Sequence, residues 1–221
     1  AVQSKSHEGH TDIQSSGGRA IKSNAFNPSI GVVLNGQFSE FTERTEPELA
    51  GFSVGEEAHR GAGGMALDHT ELSFSASIDD KFYGSLTYAI AEHDGATEVE
   101  VEEAYVETLP GADAPATFKF GKALWALGYL NEQHHHTDDF VGRPLPYEVY
   151  LNGGFNDDGI QISKILPTET YQEIGVGLFR GNDFPFGTPD GQGVGATSLY
   201  YRVGGDLGVN GTWRLGAYRV D

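Results

Sequence analysis

The chain contains no cysteine. Disulfide scaffolds, thiol catalysis and cysteine-rich zinc modules are therefore excluded. Positive charge is scarce as well: Lys and Arg total 14 against 32 Asp and Glu, a formal net charge of -18. Such a chain repels a phosphate backbone, so nucleic acid is not an expected partner. Attraction of cations, or solubility at high salt, fits better. No uninterrupted apolar run reaches the roughly 18–20 residues that a spanning helix needs. No charged-then-apolar leader opens the chain, so residue 1 reads as a processed start. P-loop and HExxH signatures do not occur. Carboxylates are too plentiful to single out a glycosidase pair. Glycine-rich 181–195 has no strand-then-helix context for phosphate binding. The expectation is a protein that is not an enzyme.

What is present is glycine, at 31 of 221 residues, together with 13 Phe and 10 Tyr. This composition favours many strands joined by turns over helices. Residues 1–25 are polar, Gly/Ser-rich and aperiodic, and read as a flexible N-terminal arm. From residue 26 onward the dominant signal is alternation. Ile30, Val32, Leu34 and Phe38 share one face of a first strand. Leu72, Phe74, Ala76 and Ile78 alternate with Glu71, Ser73, Ser75 and Ser77. After a hairpin turn at Asp79-Asp80, Phe82, Leu86, Tyr88 and Ile90 alternate with Tyr83, Ser85, Thr87 and Ala89. Period two over this length means strands with one apolar and one polar face. The phase slips at Glu102-Glu103, as a β-bulge would make it do. Further strands are expected at Thr117–Leu130, from Ile160, at Glu173–Arg180, at Gly195–Gly204 and at Gly211–Val220, about nine in all. The segment Tyr147–Leu151 is ambiguous.

Short and long connections largely alternate, with long ones at about 42–64, 131–158 and 181–193. An up-and-down antiparallel sheet with one smooth and one looped end is the pattern of a transmembrane β-barrel. Bacterial single-chain barrels have even strand counts, so about nine strands read as part of a larger barrel. A soluble β-sandwich or lipocalin-like barrel, with the apolar face as core, is the alternative. Ser, Thr and Glu on the polar faces suit a water-filled lumen. Tyr83, Trp125, Tyr129, Tyr200, Tyr201 and Trp213, near strand ends, suit interfacial girdles.

Five stretches carry a resemblance: NPSIGVVLNGQFSEF, LSFSASIDDKFYGSLTYAIAE, EVEVEEAYVETLP, FKFGKALWALGYLNEQHHHTDDFVGRPLPY and NDDGIQISKILP. Together they resemble a poorly characterised family of bacterial outer-membrane porin-like β-barrels, some labelled zinc-regulated outer-membrane proteins or receptors. The most specific motif is GYLNxQHxH followed by DF, here Gly128–Phe140. The resemblance implies an outer-membrane location, contact with outer-membrane lipid, and no particular substrate. It also implies that these stretches fill about the N-terminal half of such a barrel, the rest being supplied by a missing C-terminal portion. A homo-oligomer is the other assembly to consider.

The strongest local chemical signal is His134-His135-His136 followed by Asp138 and Asp139. Neutral imidazoles and carboxylates suit zinc or another divalent cation. In an extended loop His134 and His136 point the same way and His135 points away. The expected ligands are therefore His134 and His136 with Asp138 or Asp139; a polar loop with chance histidines is the bland alternative. His7 and His10 in the arm have the same flavour, with a solvated arm as the plainer reading. Asp157-Asp158-Gly159 reads as a turn ahead of a strand. Glu98, Glu100 and Glu102 share one face at about 7 Å spacing. With Glu71 and His69 they are the expected lining of a pore, which would attract cations. The expected function is a passive channel for small solutes or cations, or a ligand- or metal-capturing surface protein.

Overall fold

The computed structural model describes residues 28–42, 63–67, 70–93, 96–109, 114–140, 142–182, 185–187 and 193–221. The proposed arm at 1–25, with His7 and His10, lies outside the described residues, as do His69 and most of the loops at 42–64 and 181–193. In chain order the strands are β1 (Ser29–Val33), β2 (Gly36–Ser39), β3 (Gly64–Leu67), β4 (Thr70–Ser77), β5 (Phe82–His93) and β6 (Ala96–Thr108). They continue with β7 (Thr117–Leu124), β8 (Asn156–Ile165), β9 (Tyr171–Phe179), β10 (Ala196–Leu207) and β11 (Gly211–Val220). One helix, α1 (Leu145–Leu151), lies between β7 and β8.

Nine strands form one antiparallel sheet in the order β1-β4-β5-β6-β7-β8-β9-β10-β11, and β2 pairs with β3 separately. The fold is all-β, and the meander matches the expected up-and-down order. The nine-stranded sheet is open, with β1 and β11 at its edges. The connections β4–β5, β8–β9 and β10–β11 at one end are short. The chain between β7 and β8 and that between β9 and β10 are the long connections at the other end.

Four details differ from the alternation read along the chain. The first strand breaks at Leu34-Asn35, so that β1 joins β4 and β2 joins β3. The Thr70 hydroxyl fills the break: it accepts from the Asn35 amide at 3.2 Å and donates to the Asn35 carbonyl at 3.1 Å. The strand expected over Thr117–Leu130 ends at Leu124. Trp125 and Leu127 lie beyond it, and Gly128 turns the chain with φ 74°. Tyr147–Leu151 belongs to α1, with Pro146 in the first turn, where its missing N–H costs nothing. Asp157-Asp158-Gly159 is inside β8 and not a turn before it. The Asp157 carboxylate accepts from Gly181 N at 2.7 Å, which ties the end of β9 to β8.

Across the nine-stranded sheet the pairing places most aliphatic residues on one face. Along one row Ile30 faces Phe74, Phe74 faces Leu86 and Leu86 faces Ala104. Across the other half Phe120 faces Ile160, Ile160 faces Leu178, Val176 faces Leu199 and Val203 faces Leu215. This apolar face is the more open one: Phe120 and Leu215 are each 67% exposed, whereas Phe74, Leu86 and Ala104 are half-buried. The opposite face carries Glu71, Thr87, Glu103, Asp157, Gln161 and Arg202, all buried. Burial is therefore inverted relative to an ordinary soluble sheet, in which the apolar side forms the core.

The largest buried cluster also sits on the polar side. Tyr83, Tyr105, Phe179 and Ala196 from the sheet meet Ala123, Trp125 and Phe155. Phe179 lies 5.0 Å from both the Trp125 and the Phe155 ring. Of the residues proposed for interfacial girdles, Tyr83, Trp125 and Tyr200 are buried here, whereas Tyr129, Tyr201 and Trp213 are exposed. Gly175 makes room for this packing, since a Cβ there would fall 2.2 Å from the Tyr200 ring.

Candidate metal centre on the polar face

The chain between β7 and β8 folds back over the polar face and is held there by buried polar side chains. Asn131 is fully buried. Its amide donates to the carbonyls of Trp125 (2.7 Å) and Phe155 (2.9 Å), and its carbonyl accepts from Phe155 N at 2.6 Å. Arg143 closes the next loop, donating to the Asp138 carboxylate, the Gly153 carbonyl and the Gln133 carbonyl. Glu132 pairs with Arg202 on β10. The Arg202 guanidinium also packs 4.6 Å over the Tyr200 ring and donates to Tyr218. Each buried bond of this kind contributes on the order of 1 kcal/mol, and the set fixes where the histidines land.

His134 precedes a short 3-10 turn, His135–Thr137. The turn carries His134 and His136 onto β4 and β6, with their ring centroids 5.7 Å apart. His136 Nδ1 is 2.6 Å from Glu71 Oε1, and His134 Nδ1 is 3.2 Å from Glu71 Oε2. Ligand atoms of Glu71, His134 and His136 all lie within 4.8 Å of one another, so these three residues can hold a metal ion. His135 turns away, its ring lying against Gly153.

Two more carboxylates reach His134. Glu102 Oε2 is 3.1 Å from Nδ1, and Glu103 Oε2 is 3.1 Å from Nε2. Both come from the bulge on β6: Thr87 pairs with Glu103 and Tyr88 with Val101, leaving Glu102 extra. The bulge puts successive glutamates on the same face. Glu103 is itself anchored, accepting from Leu124 N at 3.3 Å and lying 3.9 Å from Lys119 Nζ. Burial of the His134 ring opposes its protonation. The hydrogen bonds to Glu102, Glu103 and Glu71 outweigh that burial and push its pKa up to about 12. Without a metal this ring is an imidazolium held between carboxylates.

The expected ligand set is thus rearranged. His134 and His136 come together, but the carboxylate that joins them is Glu71. Asp138 Oδ2 accepts from Arg143 Nε at 2.7 Å, and Asp139 is exposed. Glu71 entered the sequence reading only as a pore-lining residue. Nothing local marks it as a partner for residues 65 positions away. Glu98 and Glu100 pair with Ala91 and Ala89 on the polar face and are exposed. Glu102 shares that face but contacts His134.

Gly51-Phe52-Ser53-Val54-Gly55 spells the GxSxG pattern of a hydrolase nucleophile elbow. It lies outside the described residues.

Comparison with known proteins finds one match of note. Over 174 residues, 74% of this chain, the sequence is 32% identical to an uncharacterized protein of Aquifex aeolicus (strain VF5). The chain spans only 36% of that relative's length. No protein-family model matches, and no solved structure matches.

Proposed function

We propose that this chain forms part of the wall of an outer-membrane porin-like β-barrel, without catalytic activity, that passes small solutes or cations. The observation that carries this reading is the inverted sheet. The apolar face is exposed over β7 to β11 and half-buried over β4 to β6, while the polar face is covered in part by the chain's own folded-back segment. A sandwich would bury the apolar face instead. Lipid is the occupant that matches a broad apolar face on up-and-down strands with short turns at one end. Among the described residues β1 and β11 are the two edges of the sheet, which suits a barrel that further strands complete. Glu98 and Glu100 on the polar side give the passage a preference for cations.

The test is partition with the outer-membrane fraction together with heat-modifiable migration on a gel. Recovery of the folded protein in the soluble fraction overturns the reading. Metal capture without conduction is the second reading, and the Glu71, His134 and His136 cluster favours it. Calorimetry with zinc and conductance in planar bilayers separate the two.

A further inference from the structure

We propose that a divalent cation of the zinc, copper or nickel class is a clasp in this protein. Bound by Glu71, His134 and His136, it locks the folded-back turn at 134–137 onto wall strand β4. The inference builds on the barrel reading: if the polar face lines a passage, the clasp sets how firmly the turn obstructs it.

Three features of the cluster carry the argument. The first is the donor set. Two imidazole nitrogens and one carboxylate oxygen suit borderline divalent ions, whereas calcium and magnesium favour all-oxygen cages. The second is the support around the donors. His134 presents Nδ1 to Glu71 and Nε2 to Glu103, 3.1 Å away. Glu103 in turn accepts the Leu124 amide. A metal-binding histidine characteristically donates its remaining ring N–H to a carboxylate that is itself held in place. That arrangement is built here before any ion binds, and it depends on the β6 bulge.

The third feature is connectivity. Glu71 belongs to β4, whereas both histidines belong to the connection between β7 and β8. An ion at this point therefore cross-links the turn to the wall. Glu132, just ahead of the turn, is already tied to Arg202 on β10.

The test uses the full chain in detergent micelles, with zinc chloride as the probe. Calorimetry and hydrogen exchange of the 130–138 amides are read together. Saturable one-to-one binding is expected. At free zinc of a hundred times Kd, exchange through opening of this segment should slow about a hundredfold. His134→Ala and His136→Ala should each abolish binding, and His135→Ala should leave it unchanged. Glu103→Gln removes a support and not a ligand, and should weaken binding roughly 10–100-fold. Because it leaves both histidines and Glu71 in place, it keeps the test decisive if an alanine variant fails to fold. X-ray absorption of the zinc-loaded parent should show two imidazoles. Unchanged affinity in the His134→Ala/His136→Ala double variant overturns the clasp, as does exchange at 130–138 that zinc leaves untouched. Zinc-dependent protection in a protein that does not partition with membranes supports the clasp and overturns the barrel, so the two readings fail separately.

Discussion

Glu102 and Glu103 are neighbours in the chain, yet both aim at one ring: Glu102 Oε2 lies 3.1 Å from His134 Nδ1 and Glu103 Oε2 lies 3.1 Å from His134 Nε2. In a regular strand consecutive side chains point to opposite faces. One extra residue on β6 removes that constraint. The same irregularity that interrupts the apolar pattern assembles the polar centre.

That centre has a pH dependence whose sign follows from His134. Its folded pKa, about 12, lies above the usual 6.5. In metal-free protein the ring's contribution to stability is fully present below pH 6.5. It is lost as pH rises from there through the folded value. His134→Ala should therefore lower the urea midpoint of chelator-treated protein at pH 7, and the gap from the parent should narrow by pH 11. A gap that widens with pH would show that the carboxylates do not hold a charged ring.

The folded-back segment depends on Asn131. Asn131→Ala leaves the Phe155 amide and two carbonyls without their buried partner. The expected cost is about 2–4 kcal/mol, given roughly 1–3 kcal/mol for each stranded buried group. Urea unfolding in detergent measures it, and the 131–155 amides should exchange faster. A change below about 0.5 kcal/mol would mean that the segment is held mainly by its rings and by Arg143.

Placement of the apolar face in lipid is checked at two adjacent residues. A spin label at Phe74 should meet a lipid-soluble quencher, and one at Ser75 should not. Arginine at Phe120 should cost roughly 2–4 kcal/mol if that position is near the bilayer midplane. The reverse quenching pattern would mean that the polar face is the outer one.

Charge selectivity is read from Glu98→Gln/Glu100→Gln, which spares the His134 contacts. Cation preference should fall, more at low salt, where screening is weaker. An unmoved reversal potential would take both residues off the conducting path.

The β4–β5 hairpin, the bulge, the two-faced character of the sheet and most of its strands were legible along the chain, but β3 and the break between β1 and β2 were not. The legible features arise from local rules: alternation of side chains, turn chemistry, and the phase slip at Glu102-Glu103. His134 and His136 do meet, but at a 3-10 turn over His135–Thr137 and not in the extended loop from which their pairing was expected. The end of β7 at Leu124 was not legible. Trp125, Leu127 and Tyr129 keep the apolar alternation, and only Gly128 and the pull of Asn131 turn the chain away. The third member of the centre was equally hidden, since Asp138 is the nearer carboxylate in sequence but Arg143 holds it. Glu71 reaches the histidines because β4 and the folded-back segment meet across the polar face. Contact between residues 65 apart is set by the register of a whole sheet and by buried hydrogen bonds that exist only once the chain is folded.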